Sequence, residues 1–129
     1  MYLIPTLSSD EADHALAACT EAARAAGAAV TIAVVDGAGA LLALRRMEGA
    51  KAYSVDLASR KARTSASLGI GTAVLDAMYK GRTPPADMMT MPGGLPVLSE
   101  GKCAGAIGVS GAVGETDEAI ARAGLAVLL

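Results

Sequence analysis

A lysine inside an otherwise apolar helical stripe is the residue of this sequence best suited to chemistry. The stripe runs Leu57, Lys61, Thr64 and Leu68, at spacings of four, three and four that fall on one helix face. An ammonium group on such a face costs free energy unless it reaches water, pairs with a carboxylate or acts on a ligand. Two interpretations follow: a functional lysine, or one that reaches water or pairs to fix the helix.

Charged residues near the preceding strands could complete a catalytic group around this lysine. Asp36 and Arg46 lie on two neighbouring predicted strands. A buried lysine beside a carboxylate can bind an anionic substrate or serve as acid or base. Lys61, Asp36 and Arg46 are therefore the candidate catalytic residues of a small cofactor-free enzyme. Such an enzyme would act on an oxygenated carboxylate by proton transfer, as a lyase or isomerase does.

Two glycine-rich segments could bring backbone close to a ligand. One ends a predicted strand just before a helix, where backbone N–H groups can hold a carboxylate or phosphate. The other lies in a proline-rich loop. In both, a tight turn that requires small residues is the alternative. The candidate ligand-binding residues are Gly93 and Gly94 in the loop, and Gly108, Ser110 and Gly111 at the end of the strand.

The composition excludes several classes of protein. The formal net charge is −2, and no basic stripe with interleaved aromatic residues suggests a nucleic-acid surface. No apolar run approaches the roughly 20 residues that span a bilayer, and the N-terminus lacks the features of a signal peptide. Cys19 and Cys103 stand far apart without a metal-binding spacing, so we expect free thiols, a cytoplasmic location and no metal site.

Periodicity and turn residues predict eight elements. Ser8 and Glu11 form a capping box ahead of an alanine-rich helix that ends at Gly27. A loop rich in proline and glycine occupies residues 81–96. The predicted helices cover residues 9–26, 52–68, 72–80 and 115–127, and the predicted strands cover residues 30–36, 40–47, 96–99 and 102–110.

The order of these elements predicts the fold class. Each strand pair is a hairpin, so the sheet should be antiparallel with helices packed on it, in an α+β fold of order α-β-β-α-α-β-β-α. The 129 residues suit a single domain over residues 1–129. The segment Tyr2–Thr6 is a candidate additional edge strand.

Several short sequence blocks, spread over nearly the whole chain, resemble segments of the GlcG/HbpS-like family. This family includes the haem-degrading and PduO C-terminal-like domains. The blocks are Ile32–Gly39, Leu44–Ala50, Lys61–Ser65, Gly93–Val97 and Gly105–Gly111. The resemblance implies a profilin-like α+β sandwich, homo-oligomers and, in some members, haem binding. It does not imply one shared reaction, because a fold does not fix a function.

Haem is thus the cofactor that the resemblance implies, and the sequence offers two kinds of axial ligand. His14 is the only histidine, and helical stepping from it reaches Glu21, which favours a solvated surface position instead. Met88, Met89 and Met91 could ligate iron or line an adaptable pocket, or could simply pack the loop. The absence of Phe and Trp removes residues that commonly flank a haem plane.

Three functions remain open at this point. The first is a small-molecule-binding protein for haem or another tetrapyrrole, with its pocket between the helices and loop 81–96. The second is the cofactor-free enzyme described above. The third is a structural or regulatory homo-oligomer without a ligand. None of them involves a nucleic acid or a membrane.

Overall fold

The computed structural model describes residues 1–128, and in this part of the chain the elements follow the predicted order. The helices are α1 (Ser9–Ala25), α2 (Ser54–Leu68), α3 (Thr72–Met78) and α4 (Gly114–Ala126). The strands are β1 (Thr31–Asp36), β2 (Leu41–Arg46), β3 (Gly94–Ser99) and β4 (Lys102–Ser110). The α+β class and the helix-flanked antiparallel sheet are confirmed.

The sheet has the strand order β2-β1-β4-β3, and every neighbouring pair is antiparallel. Each hairpin supplies one edge strand and one central strand. In the central pair, Thr31 lies opposite Ser110 and Asp36 lies opposite Gly105. The two ends of β1 therefore belong to opposite ends of the sheet.

Helices cover both faces of the sheet because the central strands are apolar on both sides. Ile32 and Val34 point into a core shared with α1 and α4. Ala33 and Val35 point the other way, into a smaller core shared with α2. Alternate residues of a strand face opposite sides, so one strand serves both cores. The second core is built almost entirely from alanine, and α2 accordingly lies close to the sheet.

The capping box at the start of α1 is present as predicted. The Ser8 hydroxyl accepts a hydrogen bond from the Glu11 N–H at 3.1 Å, and the Glu11 carboxylate accepts one from the Ser8 N–H at 2.9 Å. Two of the helix's free N–H groups are satisfied in this way. The same bonds, with the Ser8 backbone first among them, lower the pKa of Glu11.

One predicted strand boundary and one candidate edge strand were wrong. Strand β3 begins at Gly94, not at Pro96, and Pro96 lies within it opposite Ala106. An edge strand tolerates proline because its outward N–H has no partner to lose. The segment Tyr2–Thr6 is not a strand; the bond from the Leu7 N–H to the Ala104 carbonyl, at 2.9 Å, follows it instead.

Candidate functional site

Lys61 is buried, and its partner is an aspartate on another helix. The Lys61 side chain is 2% exposed; its Nζ donates to the Val109 carbonyl at 2.9 Å and to Asp117 Oδ2 at 3.3 Å. Asp117 is 3% exposed and its Oδ1 accepts from the Ala112 N–H at 2.9 Å. The ion pair joins α2 on one face of the sheet to α4 on the other.

Burial pushes both members of this pair toward their neutral forms. Desolvation lowers the pKa of Lys61, and the charge and hydrogen bond of Asp117 oppose that shift. Desolvation likewise raises the pKa of Asp117, against the backbone hydrogen bonds of Ala112 and Gly111 and the charge of Lys61. The attraction within the pair therefore offsets part of the desolvation cost of each charge.

The structure does not bring the other two candidate catalytic residues to Lys61. Asp36 ends β1 about 16 Å of strand away from Thr31, whose partner Ser110 adjoins the Lys61 contact. Its Oδ1 accepts from the N–H groups of Ala38 and Ala40 at 2.9 and 3.0 Å, which closes the β1–β2 turn. Arg46 is exposed at the end of the edge strand β2.

Gly93 and Gly94 lie close to Lys61 itself. A Cβ on Gly93 would lie 2.9 Å from Lys61 Nζ and would collide with the Val109 carbonyl, and the residue has a φ of +130°. A Cβ on Gly94 would lie 2.7 Å from the Lys61 carbonyl oxygen. The close backbone approach expected at these glycines is therefore an approach to the buried ammonium group and its helix.

The segment at the end of β4 already holds a carboxylate. Gly108 and Ser110 are buried in β4, and Gly111 is exposed just beyond it. The next N–H, that of Ala112, binds the carboxylate of Asp117. Backbone N–H groups of this region were expected to bind the anion of a ligand. In the structure, one of them, the Ala112 N–H, binds the protein's own Asp117 carboxylate instead.

His14 is exposed on α1, on the face of the sheet opposite α2. The prediction of a surface position is in agreement with this placement. Within residues 1–128, no group of three or more His, Cys, Asp or Glu side chains is placed to hold a metal ion.

A cleft of about 470 Å³ lies between α2 and the loop that connects α3 to β3. This volume falls in the range of about 300–1,000 Å³ that is usual for small-molecule sites. The helix contributes cationic, polar and apolar groups, and the loop contributes a carboxylate, a proline and a thioether. The lining residues are Arg60, Arg63, Thr64, Ser67 and Leu68 from α2, and Pro85, Asp87 and Met88 from the loop.

The sequence predicted a pocket beside this loop, and Thr64 and Leu68 of the Lys61 stripe line it, but the remaining α2 residues of the lining were not predicted. Arg60, Arg63 and Ser67 follow one another at spacings of three and four, so they share a helix face. Arg60 also forms an i,i+4 ion pair with Asp56, at 3.7 Å. This cationic helix face, next to the Lys61 stripe, is the sequence feature that could have predicted the site.

Comparison with known proteins gives a consistent result. Residues 7–126 match the model of a family described as haem-degrading protein HbpS-like. Protein GlcG of Escherichia coli K12 is 39% identical over 108 residues, which cover 81% of each chain. The chain belongs to the HbpS-like family.

Two solved structures share the fold closely. A double mutant of HbpS from Streptomyces reticuli has a TM-score of 0.91 at 37% identity, covering all of this chain and 91% of its own. A PduOC–haem complex has a TM-score of 0.85 at 27% identity, covering 94% of each chain. The family resemblance seen in the sequence is confirmed.

Proposed function

We propose that this protein binds a small molecule, haem or another tetrapyrrole, in the cleft between α2 and the loop. The observation that carries the proposal is the lining of the cleft, which combines two arginines, apolar side chains and one thioether. The haem complex of a structural relative with the same fold supports the choice of ligand.

The residues of the cleft fit a haem group. Of the side-chain types that commonly ligate haem iron, which are His, Cys, Met and Tyr, the lining contains Met88. Arg60 and Arg63 can neutralise two carboxylates, since arginine pairs with them through a fork of donors. Leu68 and Pro85 offer apolar contact. Haem, when bound, would supply an iron centre whose reduction potential depends on the side chain that ligates it.

His14 does not belong to this cleft in the same chain. It lies on α1, and the sheet separates α1 from α2. Met88 is therefore the proposed protein ligand, in place of the histidine that the resemblance suggested.

The alternative of a cofactor-free enzyme receives no comparable support. Lys61, Asp36 and Arg46 do not share a site, and Lys61 is buried against Asp117 outside the lining of the cleft. The arrangement of Lys61 fits an ion pair that joins two helices, which was the other interpretation of this residue.

A cytoplasmic homo-oligomer completes the proposal. Two free cysteines suit a reducing compartment. Several large apolar side chains are exposed, a pattern that favours burial against another subunit. The most exposed of them are Met1, Leu3, Tyr2 and Val113. Sedimentation velocity at several concentrations would test this; a strictly monomeric protein would contradict it. No helix within residues 1–128 is long and apolar enough to cross a membrane.

The direct test of the site is a haemin titration in which a bulky side chain blocks the cleft. Ser67 is exposed and lines the cleft, so Ser67→Trp should fill it and weaken haemin binding at least about tenfold, the equivalent of 1.4 kcal/mol. Ser99 is also exposed but lines a separate pocket of about 220 Å³, so Ser99→Trp is the matched control. Equal affinity of Ser67→Trp and the wild type would place the ligand elsewhere.

A further inference from the structure

Thr64 both lines the cleft and holds the loop that carries Met88. Its Oγ1 accepts a hydrogen bond from the Met89 N–H at 3.1 Å. Thr64 is 7% exposed and Met89 is 8% exposed, so water has little access to replace this bond. The contact joins the third turn of α2 to the peptide bond that directly follows Met88.

The loop makes a turn just before Met88 and is held to α2 at two points. The Met88 N–H donates to the Pro85 carbonyl at 3.0 Å, which closes a turn over residues 85–88. Arg60 Nη2 donates to the Ala86 carbonyl at 3.2 Å. Arg60 and Thr64 are one helical turn apart, so α2 contacts the turn on both sides of Met88.

Of these two contacts, the Thr64 bond controls the direction of the Met88 side chain more closely. The peptide unit is planar, so fixing the Met89 N–H fixes the plane that begins at the Met88 Cα. Arg60 is partly exposed and also pairs with Asp56, so water and a second partner compete for its guanidinium group. The Thr64 hydroxyl is buried and acts on the adjoining peptide.

We propose that Thr64 is a positioning residue whose hydroxyl fixes the Met88–Met89 peptide so that the Met88 thioether is presented to a ligand in the cleft. The proposal rests on the proposed function of the cleft. A methionine side chain has three rotatable bonds and adapts to many shapes, so it gains from a backbone that is already in place. Fixing the backbone before binding lowers the entropy that the ligand must overcome.

The first test needs no haem. Thr64→Val keeps the branched shape but removes the oxygen, and Thr64→Ser keeps the oxygen as the matched control. Hydrogen exchange of the Met89 amide should be up to about tenfold faster in Thr64→Val than in the wild type, since one hydrogen bond is lost. Thr64→Ser should exchange at nearly the wild-type rate. Equal rates in all three proteins would overturn the proposal.

The second test compares the absorbance spectra of the variants after haemin addition, to determine whether Thr64 affects how Met88 contacts the ligand. The wild type and Thr64→Ser should share a spectrum that Met88→Leu changes, and Thr64→Val should resemble Met88→Leu. A wild-type spectrum in Thr64→Val would overturn the positioning role even if its amide exchanges faster. Failure of the wild type to bind haemin would refute the proposed function and the ligand role with it. In that case the exchange rates would still decide whether Thr64 holds the loop.

Discussion

Lys61 and Asp117 depend on each other, because each is a charge with almost no access to water. Removing charged groups from water costs several kcal/mol per ion, and only a close partner with further hydrogen bonds offsets it. Both residues have such bonds, Lys61 to the Val109 carbonyl and Asp117 to the Ala112 N–H. Each residue therefore supplies the partner that the other needs, and the contact links α2 to α4.

Replacing one member should be far more harmful than replacing both. Lys61→Met should lower the free energy of unfolding by about 3–5 kcal/mol, since it leaves an unpaired buried carboxylate. Adding Asp117→Asn, which keeps an acceptor for the Ala112 N–H, should recover a large part of that loss. Urea unfolding measures both, with exposed Lys80→Met as a control expected within about 0.5 kcal/mol of the wild type. Losses that simply add would contradict the account.

The loss in Lys61→Met should also depend on pH. Without its cation, the raised pKa of Asp117 rises further from the ordinary value of 3.8. A group whose pKa is higher in the folded state binds more protons there, so its contribution to stability falls as pH rises between the unfolded and folded pKa values. The difference from the wild type should be smallest below pH 3.8 and grow toward neutral pH. A difference that is constant with pH would argue against burial as its cause.

The two cysteines should react very differently with alkylating reagents. Cys19 is fully buried in α1, and desolvation raises the pKa of its thiol to about 12, so almost no thiolate exists at neutral pH. Cys103 is half-buried on β4. Mass spectrometry after brief iodoacetamide treatment should show modification of Cys103 first and of Cys19 only once urea unfolds the chain. Early modification of Cys19 in the native protein would show that α1 is packed less tightly than described.

At the residue level, the sequence predicted the burial of a lysine but not its partner. The apolar positions around Lys61 placed it on a buried helix face. Asp117 lies in the first turn of α4, where the helix dipole alone favours an acid, so its position gives no sign of a distant partner. The two residues are 56 positions apart, and a contact of that range depends on tertiary packing that no local pattern encodes.

Helix α2 can pack closely on the sheet because Gly108 of β4 has no side chain. A Cβ on Gly108 of β4 would lie 2.6 Å from the Ala62 N and would also collide with the Ala58 carbonyl. The facing side chains are small as well, since Ala58 and Ala62 are fully buried alanines. The helix therefore lies so close that one added carbon cannot be accommodated without moving it.

Gly108→Ala should destabilise the protein by about 1–3 kcal/mol or more, because overpacking forces α2 away from the sheet. Thermal unfolding followed by circular dichroism measures the effect. Gly69→Ala is the control: its added carbon meets nothing within 4 Å, and its φ of +69° should cost only about 1–2 kcal/mol. A Gly108→Ala protein as stable as the wild type would mean that α2 can shift freely.

The elements themselves were largely predictable because their signals are local. The capping box fixed the start of α1, and Gly69, a residue with positive φ, fixed the end of α2. The start of β3 was missed because Gly94 and Pro96 carry the composition of a loop. Only the edge position of β3, a property of the whole sheet, makes a strand with that proline acceptable.

For the whole molecule, the sheet divides the candidate residues into two groups. The cleft, with Met88 and the arginines, lies on the α2 face, and His14 lies on the α1 face. The sequence alone could not show that Met88 and His14 lie on opposite faces, because the order of the helices does not determine which face of the sheet each one covers. The loop's functional role could be suspected from its length and composition, but its anchors on α2 could not.

Haemin titration of four proteins tests the central claim most directly: the wild type, Met88→Leu, Met91→Leu and His14→Ala. Met91 is exposed in the same loop but does not line the cleft, so it is the matched control for Met88. We predict saturable binding by all four, with a Soret spectrum that changes only in Met88→Leu and an affinity that falls about tenfold or more there. A spectrum that changes in His14→Ala and not in Met88→Leu would contradict the account and place the haem on the other face of the sheet.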